Sequence, residues 1–140
     1  MLPNFVVIGA QKAGSTYIML SLGEHPDVFM PRYEIAFFED PDYADGLDAL
    51  KKHFTGVRAE RVVGLKRPNL LGRPECPERI HRDLPDAKLM TVLRDPVDRA
   101  VSSYFHLMLS GKIPVRGIEE GMRDLLAGRY RERWPVADLV

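Results

Sequence analysis

The hydrophobic pattern alternates between short β-rich runs and helical stretches. The run Phe5–Ile8 is apolar and directly precedes Gly9, which is typical of a strand buried on both faces in the middle of a parallel sheet. The stretch Ser15–Leu22 is mostly apolar at helical length and ends near Gly23. We therefore predict a central strand, a glycine-containing loop and a buried helix, in that order.

The same alternation continues along the chain. The pattern predicts two more strands, Val62–Lys66 and Lys88–Leu93. It also predicts three short helices, Gly46–Phe54, Cys76–Leu84 and Ile118–Leu126. The segment from Val28 to Pro41 is irregular and aromatic. Strands that alternate with helices predict an α/β fold with a central, mostly parallel sheet.

One more helix has a clear start. Asp95 is a favoured N-cap residue, and Pro96 is favoured at the first helical position. Residues spaced at i, i+4, i+7 and i+11 predict the core-facing stripe of this helix: Val97, Val101, Tyr104 and Met108.

Composition limits the classes of protein that fit. The chain has 140 residues, 45% of them hydrophobic and 29% charged, which predicts one domain over residues 1–140. A net charge of zero disfavours a general nucleic-acid binder or a polybasic membrane protein.

The single cysteine, Cys76, cannot form an internal disulfide, so the sequence gives no sign of an oxidising compartment and a cytoplasmic location is the default expectation. We expect Cys76 to be a small, partly buried side chain. The charged run Arg129–Arg133 is typical of a solvated helix face. Oligomeric state cannot be predicted from the sequence.

The loop Gly9–Thr16 carries the first candidate chemistry. It lies between a buried strand and a helix N-terminus, where free backbone N–H groups and the helix dipole favour an anion. Small residues let the backbone approach that anion closely, and Lys12 supplies a cation. A phosphate or sulfate group is the expected ligand. The alternative is a plain strand-to-helix turn with a solvated lysine.

The loop differs from two common nucleotide-binding motifs. The Walker A pattern requires a lysine directly after the last glycine, whereas Ser15 follows Gly14 and the lysine lies earlier, at position 12. The dinucleotide pattern G-x-G-x-x-G is absent. The histidines are scattered without ligand spacing, so we expect no metal site.

Two separated motifs resemble one enzyme family. The loop Gly9–Thr16 resembles the 5′-phosphosulfate loop of sulfotransferases that use 3′-phosphoadenosine 5′-phosphosulfate (PAPS), whose core is K-x-G-[ST]-[ST]. The segment Val92–Tyr104 resembles their 3′-phosphate motif, R-D-P-x-x-R-x-x-S-x-Y. Between them, His25–Val28 and Glu34–Phe38 resemble stretches of heparan-sulfate-type and related bacterial sulfotransferases. The resemblance implies a P-loop-like, three-layer α/β fold.

The resemblance also implies a donor site without metal. Lys12 would bind the 5′-phosphate and stabilise the charge that develops on the leaving oxygen. Arg94 and Ser102 would bind the 3′-phosphate, for which the planar fork of arginine is suited; the alternative for Arg94 is an ion pair with Asp95 or Asp98. The implied donor-binding residues are Gly9, Gln11, Lys12, Ala13, Gly14, Ser15, Thr16, Arg94 and Ser102.

On the acceptor side, the resemblance implies Glu34 as the general base that takes the acceptor proton. The alternative for Glu34 is a plain loop glutamate or a partner for Arg32. Lys66 matches the lysine near the transferred group in the family's E-K-[ST]-P motif. The chain departs from the family close to these two residues: Ala36 replaces a histidine two positions after Glu34, and beside Lys66, Leu65 replaces a glutamate and Arg67 a serine or threonine.

These features predict an enzyme that transfers a sulfuryl group from PAPS to a hydroxyl or amine of a glycan or small molecule. One alternative is a P-loop kinase or NTPase. The other is a truncated, non-catalytic nucleotide-binding module, because the chain ends soon after the 3′-phosphate motif and we expect the domain to be incomplete at its C-terminus.

Overall fold

The computed structural model describes residues 1–129, so most of the predicted solvated helix face at Arg129–Arg133 lies outside the described residues. Contacts within the chain define two units, Met1–Leu93 and one that begins at Arg94. Among the described residues, no helix is long and apolar enough to cross a bilayer.

The first unit is built around a parallel sheet. Its strands are β1 (Phe5–Gly9), β2 (Val28–Phe29), β3 (Val62–Lys66) and β4 (Lys88–Thr91), in the spatial order β2-β3-β1-β4. Val6 of β1 pairs with Leu65 of β3 and with Leu89 of β4. The predicted central position of β1 and the parallel α/β class are confirmed.

Helices connect these strands. They are α1 (Ser15–Leu22), α2 (Leu47–Lys52) and α3 (Cys76–Asp83), with two 3₁₀ helices at Asp42–Asp45 and Pro68–Leu71. The predicted positions agree to within a few residues at each end. The second unit contains α4 (Pro96–Leu109) and α5 (Ile118–Leu126), and α4 begins as predicted, since Asp95 Oδ1 accepts hydrogen bonds from the backbone N–H groups of Val97 and Asp98.

Both faces of the sheet are packed. Successive side chains of a strand point to opposite faces, so Val6 and Val7 of β1 belong to different clusters. Val6 belongs to the larger cluster, which also holds Phe38 and Leu65. Val7 packs on the other face with Met19 of α1 and Met30. The first unit thus has three layers: helices and loops on one face, the sheet, and α1 on the other face.

Three predictions for individual segments are wrong. The helix α1 is not buried all round, because Tyr17 and Leu20 are exposed. The strand β4 ends at Thr91 instead of Leu93. The stripe assigned to α4 is displaced: Val97 is 69% exposed, and the buried residues are Ser103, Tyr104 and Leu107. Tyr104 is buried as predicted, and its hydroxyl donates to the carbonyl of Arg116.

Cys76 is fully buried instead of partly buried, and its thiol donates to the carbonyl oxygen of Phe38. Burial raises the pKa of the Cys76 thiol to about 11. At pH 8 only about one thiol in a thousand would then be ionised, and the thiolate is the reactive form. We expect no labelling of the native protein by Ellman's reagent at pH 8, and one equivalent after denaturation. Labelling of native protein at the denatured rate would contradict this placement.

Candidate active site

The loop between β1 and α1 combines an uncapped helix start with positive φ angles at Lys12 and Gly14. Gly14 precedes α1 at φ 102°, and no side chain caps the start of this helix. A Cβ at Gly14 would meet nothing within 4 Å, so the space beside it is open. Lys12 also has a positive φ, 62°, which is uncommon for a residue other than glycine and costs on the order of 1 kcal/mol. The start of α1 is therefore uncapped by a side chain and lies beside open space.

The loop is held at the carboxyl edge of the sheet by hydrogen bonds to the end of β4. The backbone N–H of Ala10 donates to the carbonyl of Val92 at 2.9 Å, and the N–H of Val92 donates to the carbonyl of Gly9 at 2.7 Å. This edge is the usual location of ligands in open α/β sheets.

Gly9 is required by close packing. Its φ is 149°, and a Cβ there would lie 2.8 Å from the carbonyl oxygen of Pro68 and 3.1 Å from Cβ of Leu71. We expect Gly9→Ala to lower the free energy of unfolding by about 1–3 kcal/mol, as overpacking typically does. Denaturant titration measures this change. Gly72→Ala is the matched control, because its nearest atom would be 3.9 Å away; equal effects of the two changes would contradict the packing described.

A second group of site residues lies at the end of β3. Lys66 is only 2% exposed, and its ammonium donates to Thr16 Oγ1 at 2.9 Å and to a carboxylate oxygen of Glu34. The structure thereby brings together three of the predicted residues: Thr16 at the start of α1, Lys66 on β3, and Glu34 in the loop after β2. The alternative pairing of Glu34 with Arg32 is wrong, since Arg32 contacts Glu24.

The chain of polar contacts continues to residues that sequence reasoning missed. The other carboxylate oxygen of Glu34 accepts from Arg67 Nη1 at 3.0 Å. The Nε and Nη2 groups of Arg67 donate to the two oxygens of Glu39, the latter at 2.9 Å. Glu39 is buried and directly follows Phe37 and Phe38 of the core. A charged residue next to two core aromatics was the available signal, because a buried carboxylate requires a cationic partner.

The predicted 3′-phosphate residues lie in the second unit. Arg94 follows β4 by three residues and its Nη2 is 3.9 Å from Asp98 Oδ2, with both side chains largely exposed. An exposed ion pair of this kind contributes at most about 1 kcal/mol. Ser102 is half-buried on α4. Among residues 1–129, no three His, Cys, Asp or Glu side chains form a group that would hold a metal ion.

Comparisons with known proteins agree on a family. The family model described as Sulfotransferase domain matches residues 2–132. The curated relatives include the heparan sulfate glucosamine 3-O-sulfotransferase 5 of Mus musculus, 33% identical over 112 residues that cover 79% of this chain and 32% of that protein. The membrane-associated sulfotransferase kil1 of Dictyostelium discoideum is 34% identical over 106 residues, which cover 74% of this chain and 22% of that protein.

A solved structure gives the same result. The crystal structure of a sulfotransferase from Alicyclobacillus acidocaldarius superposes with a TM-score of 0.81 at 29% identity, covering 99% of this chain and 63% of that one. This chain therefore spans about a third or less of the two curated relatives and under two thirds of the solved structure.

Proposed function

This chain belongs to the sulfotransferase domain family, and from that premise we propose that it transfers a sulfuryl group from PAPS to a hydroxyl or amine of a glycan or small molecule. The donor, when bound, supplies the sulfuryl group on a phosphate leaving group. The contact that supports the proposal most is the hydrogen bond from Lys66 to Thr16. Because Lys66 also donates to Glu34, it joins the loop Gly9–Thr16 to the Glu34 carboxylate in one site.

The loop residues bind and polarise the donor in this proposal. Backbone N–H groups at Gly14, Ser15 and Thr16 hold the 5′-phosphate at the helix start. Lys12 places its ammonium at the oxygen that gains charge as the S–O bond breaks, where a fixed cation lowers the barrier. Gly9, Gln11 and Ala13 complete the loop.

The 3′-phosphate contacts belong to the second unit. Arg94 and Ser102 carry the matching positions of the second motif, and an arginine fork donates two hydrogen bonds to one phosphate. These contacts give selectivity for a nucleotide with a 3′-phosphate over AMP or ATP.

Glu34 is the proposed base for the acceptor proton. Each of its oxygens already accepts from one cation, Lys66 or Arg67, but a carboxylate oxygen has two lone pairs and retains capacity for a proton. The Glu34 side chain is 37% exposed, so an acceptor hydroxyl can reach it from solvent.

The test is transfer of radiolabelled sulfate from PAPS in the presence of EDTA, to glucosamine-containing oligosaccharides and to simple phenols. One of the relatives is named a heparan sulfate glucosamine 3-O-sulfotransferase, so an amino-sugar glycan is the first acceptor class to try. We expect label in at least one acceptor without metal. A folded protein that binds the donor and transfers nothing would support the non-catalytic alternative, and phosphoryl transfer from ATP–Mg²⁺ would support the kinase alternative.

A further inference from the structure

Arg67 occupies an unusual place in this site. The family motif has serine or threonine here, a short side chain that could not reach two carboxylates. The guanidinium of Arg67 instead lies between Glu34 and Glu39, donating to both oxygens of Glu39 and to one oxygen of Glu34.

Glu39 fixes the orientation of that guanidinium. The Glu39 side chain is 7% exposed, and a two-point contact with an arginine fork sets both the distance and the plane of the group. The hydrogen bonds and charge of Glu39 raise the pKa of Arg67, which keeps its guanidinium charged at neutral pH. A further cation, Arg73, has its Nε 3.9 Å from Glu39 Oε2.

The backbone around this contact is fixed as well. The N–H of Arg67 donates to the carbonyl of Val7 in β1 at 3.0 Å, and the N–H of Ile35 donates to the carbonyl of Lys66 at 3.4 Å. The third guanidinium nitrogen of Arg67, Nη1, thus donates to Glu34 Oε2 from a fixed position. Lys66 donates to the other carboxylate oxygen of Glu34, Oε1.

We propose that Glu39 and Arg67 form a positioning pair that orients the Glu34 carboxylate between Arg67 and Lys66 for proton transfer. This inference rests on the proposed function, because Glu34 is its base. Neither Glu39 nor Arg67 touches the reacting atoms; the pair acts through Glu34. A purely structural role is the competing account, in which Arg67 serves only to neutralise buried Glu39.

A double substitution separates the two accounts. Arg67→Met leaves buried Glu39 without its main partner, so the Tm falls by several degrees. Arg67→Met combined with Glu39→Gln removes both charges, and the Tm returns close to that of the wild type. In the positioning account, kcat stays at least about tenfold lower in both variants, while the KM for PAPS is unchanged. Arg67→Lys does not restore kcat, because one ammonium cannot hold two carboxylates.

Arg79→Met is the matched control. The guanidinium of this α3 arginine likewise joins two acceptors, here the main-chain carbonyl of Phe38 and Asp40 Oδ1, both at 3.0 Å, and neither of them is Glu34. Its loss lowers the Tm but leaves kcat unchanged at temperatures where the variant is folded.

The result that would overturn the proposal is a double variant whose kcat recovers together with its Tm. A second readout does not depend on activity. The Lys66 ammonium is buried and hydrogen-bonded, so we expect its ¹H–¹⁵N signal to be protected from exchange with water in the wild type. We expect the Lys66 ammonium of the folded double variant to exchange its protons with water faster than in the wild type. If the exchange is as slow as in the wild type, Arg67 does not keep Glu34 in contact with Lys66. A wild-type protein that transfers no sulfate would overturn the proposed function, and the ammonium signal would still decide whether the pair orients Glu34.

Discussion

Replacing Lys12 with alanine is expected to lower sulfuryl transfer by about a hundredfold to a thousandfold. Loss of one preorganised donor at a site of developing charge has an effect of this size on kcat. Lys12 lies in the loop Gly9–Thr16 at φ 62°. We expect a smaller effect on binding of the product 3′-phosphoadenosine 5′-phosphate, about tenfold, because the backbone N–H groups of the loop remain. Initial rates with labelled PAPS, together with calorimetric affinities, measure both changes.

Lys52→Ala is the matched control for Lys12. It removes a lysine charge from the exposed end of α2 and leaves the loop intact. Equal rates for the two variants would mean that Lys12 contributes only to the overall charge. A large loss of binding without loss of kcat would assign Lys12 to donor affinity alone.

Replacing Lys66 with methionine is the second large effect that we expect. Methionine fills a similar buried volume without the ammonium, so Thr16 loses a hydrogen-bond donor and Glu34 keeps only Arg67. Turnover should fall at least about a hundredfold, because the carboxylate loses one of the two contacts that orient it and the site loses a cation near the transferred group. The free energy of unfolding should fall by about 1–3 kcal/mol, the typical cost of leaving a buried hydrogen-bond partner unsatisfied.

The Lys66 result is separated from misfolding by a second substitution. Lys66→Met with Glu34→Gln removes the ion pair as a unit, and we expect it to regain stability without regaining turnover. If the rate returned with the stability, neither the Lys66 ammonium nor the Glu34 carboxylate would take part in the transfer. Circular dichroism at the assay temperature verifies that each variant is folded.

The elements with strong local signals were predictable. The strand Val62–Lys66 and the helix Ile118–Leu126 have the predicted bounds, and Asp95 caps α4 as its sequence context indicated. Periodicity and capping depend on neighbouring residues, which a sequence displays directly. The loop Gly9–Thr16 was recognisable as a strand-to-helix connection for the same reason, since its residues are contiguous.

Features that depend on distant pairing were not predictable. The two-residue strand β2 exists because Val28 and Phe29 align with Val62 and Val63, far along the chain. The contact between Lys66 and Thr16 spans 50 positions, and that between Arg67 and Glu39 spans 28. Val97 fits the helical spacing of a core residue but lies in the first turn of α4, where it is exposed. Spacing alone does not specify which turn of a helix packs.

We propose that the loop Gly9–Thr16 binds the 5′-phosphate of a 3′-phosphorylated adenine nucleotide. Calorimetry tests this binding with 3′-phosphoadenosine 5′-phosphate, without metal, against AMP and ATP–Mg²⁺, for the wild type, Lys12→Ala and Arg94→Ala. We predict selective binding of the 3′-phosphorylated nucleotide, weakened by both substitutions. Preference for ATP–Mg²⁺, or no nucleotide binding by the folded protein, would contradict the account.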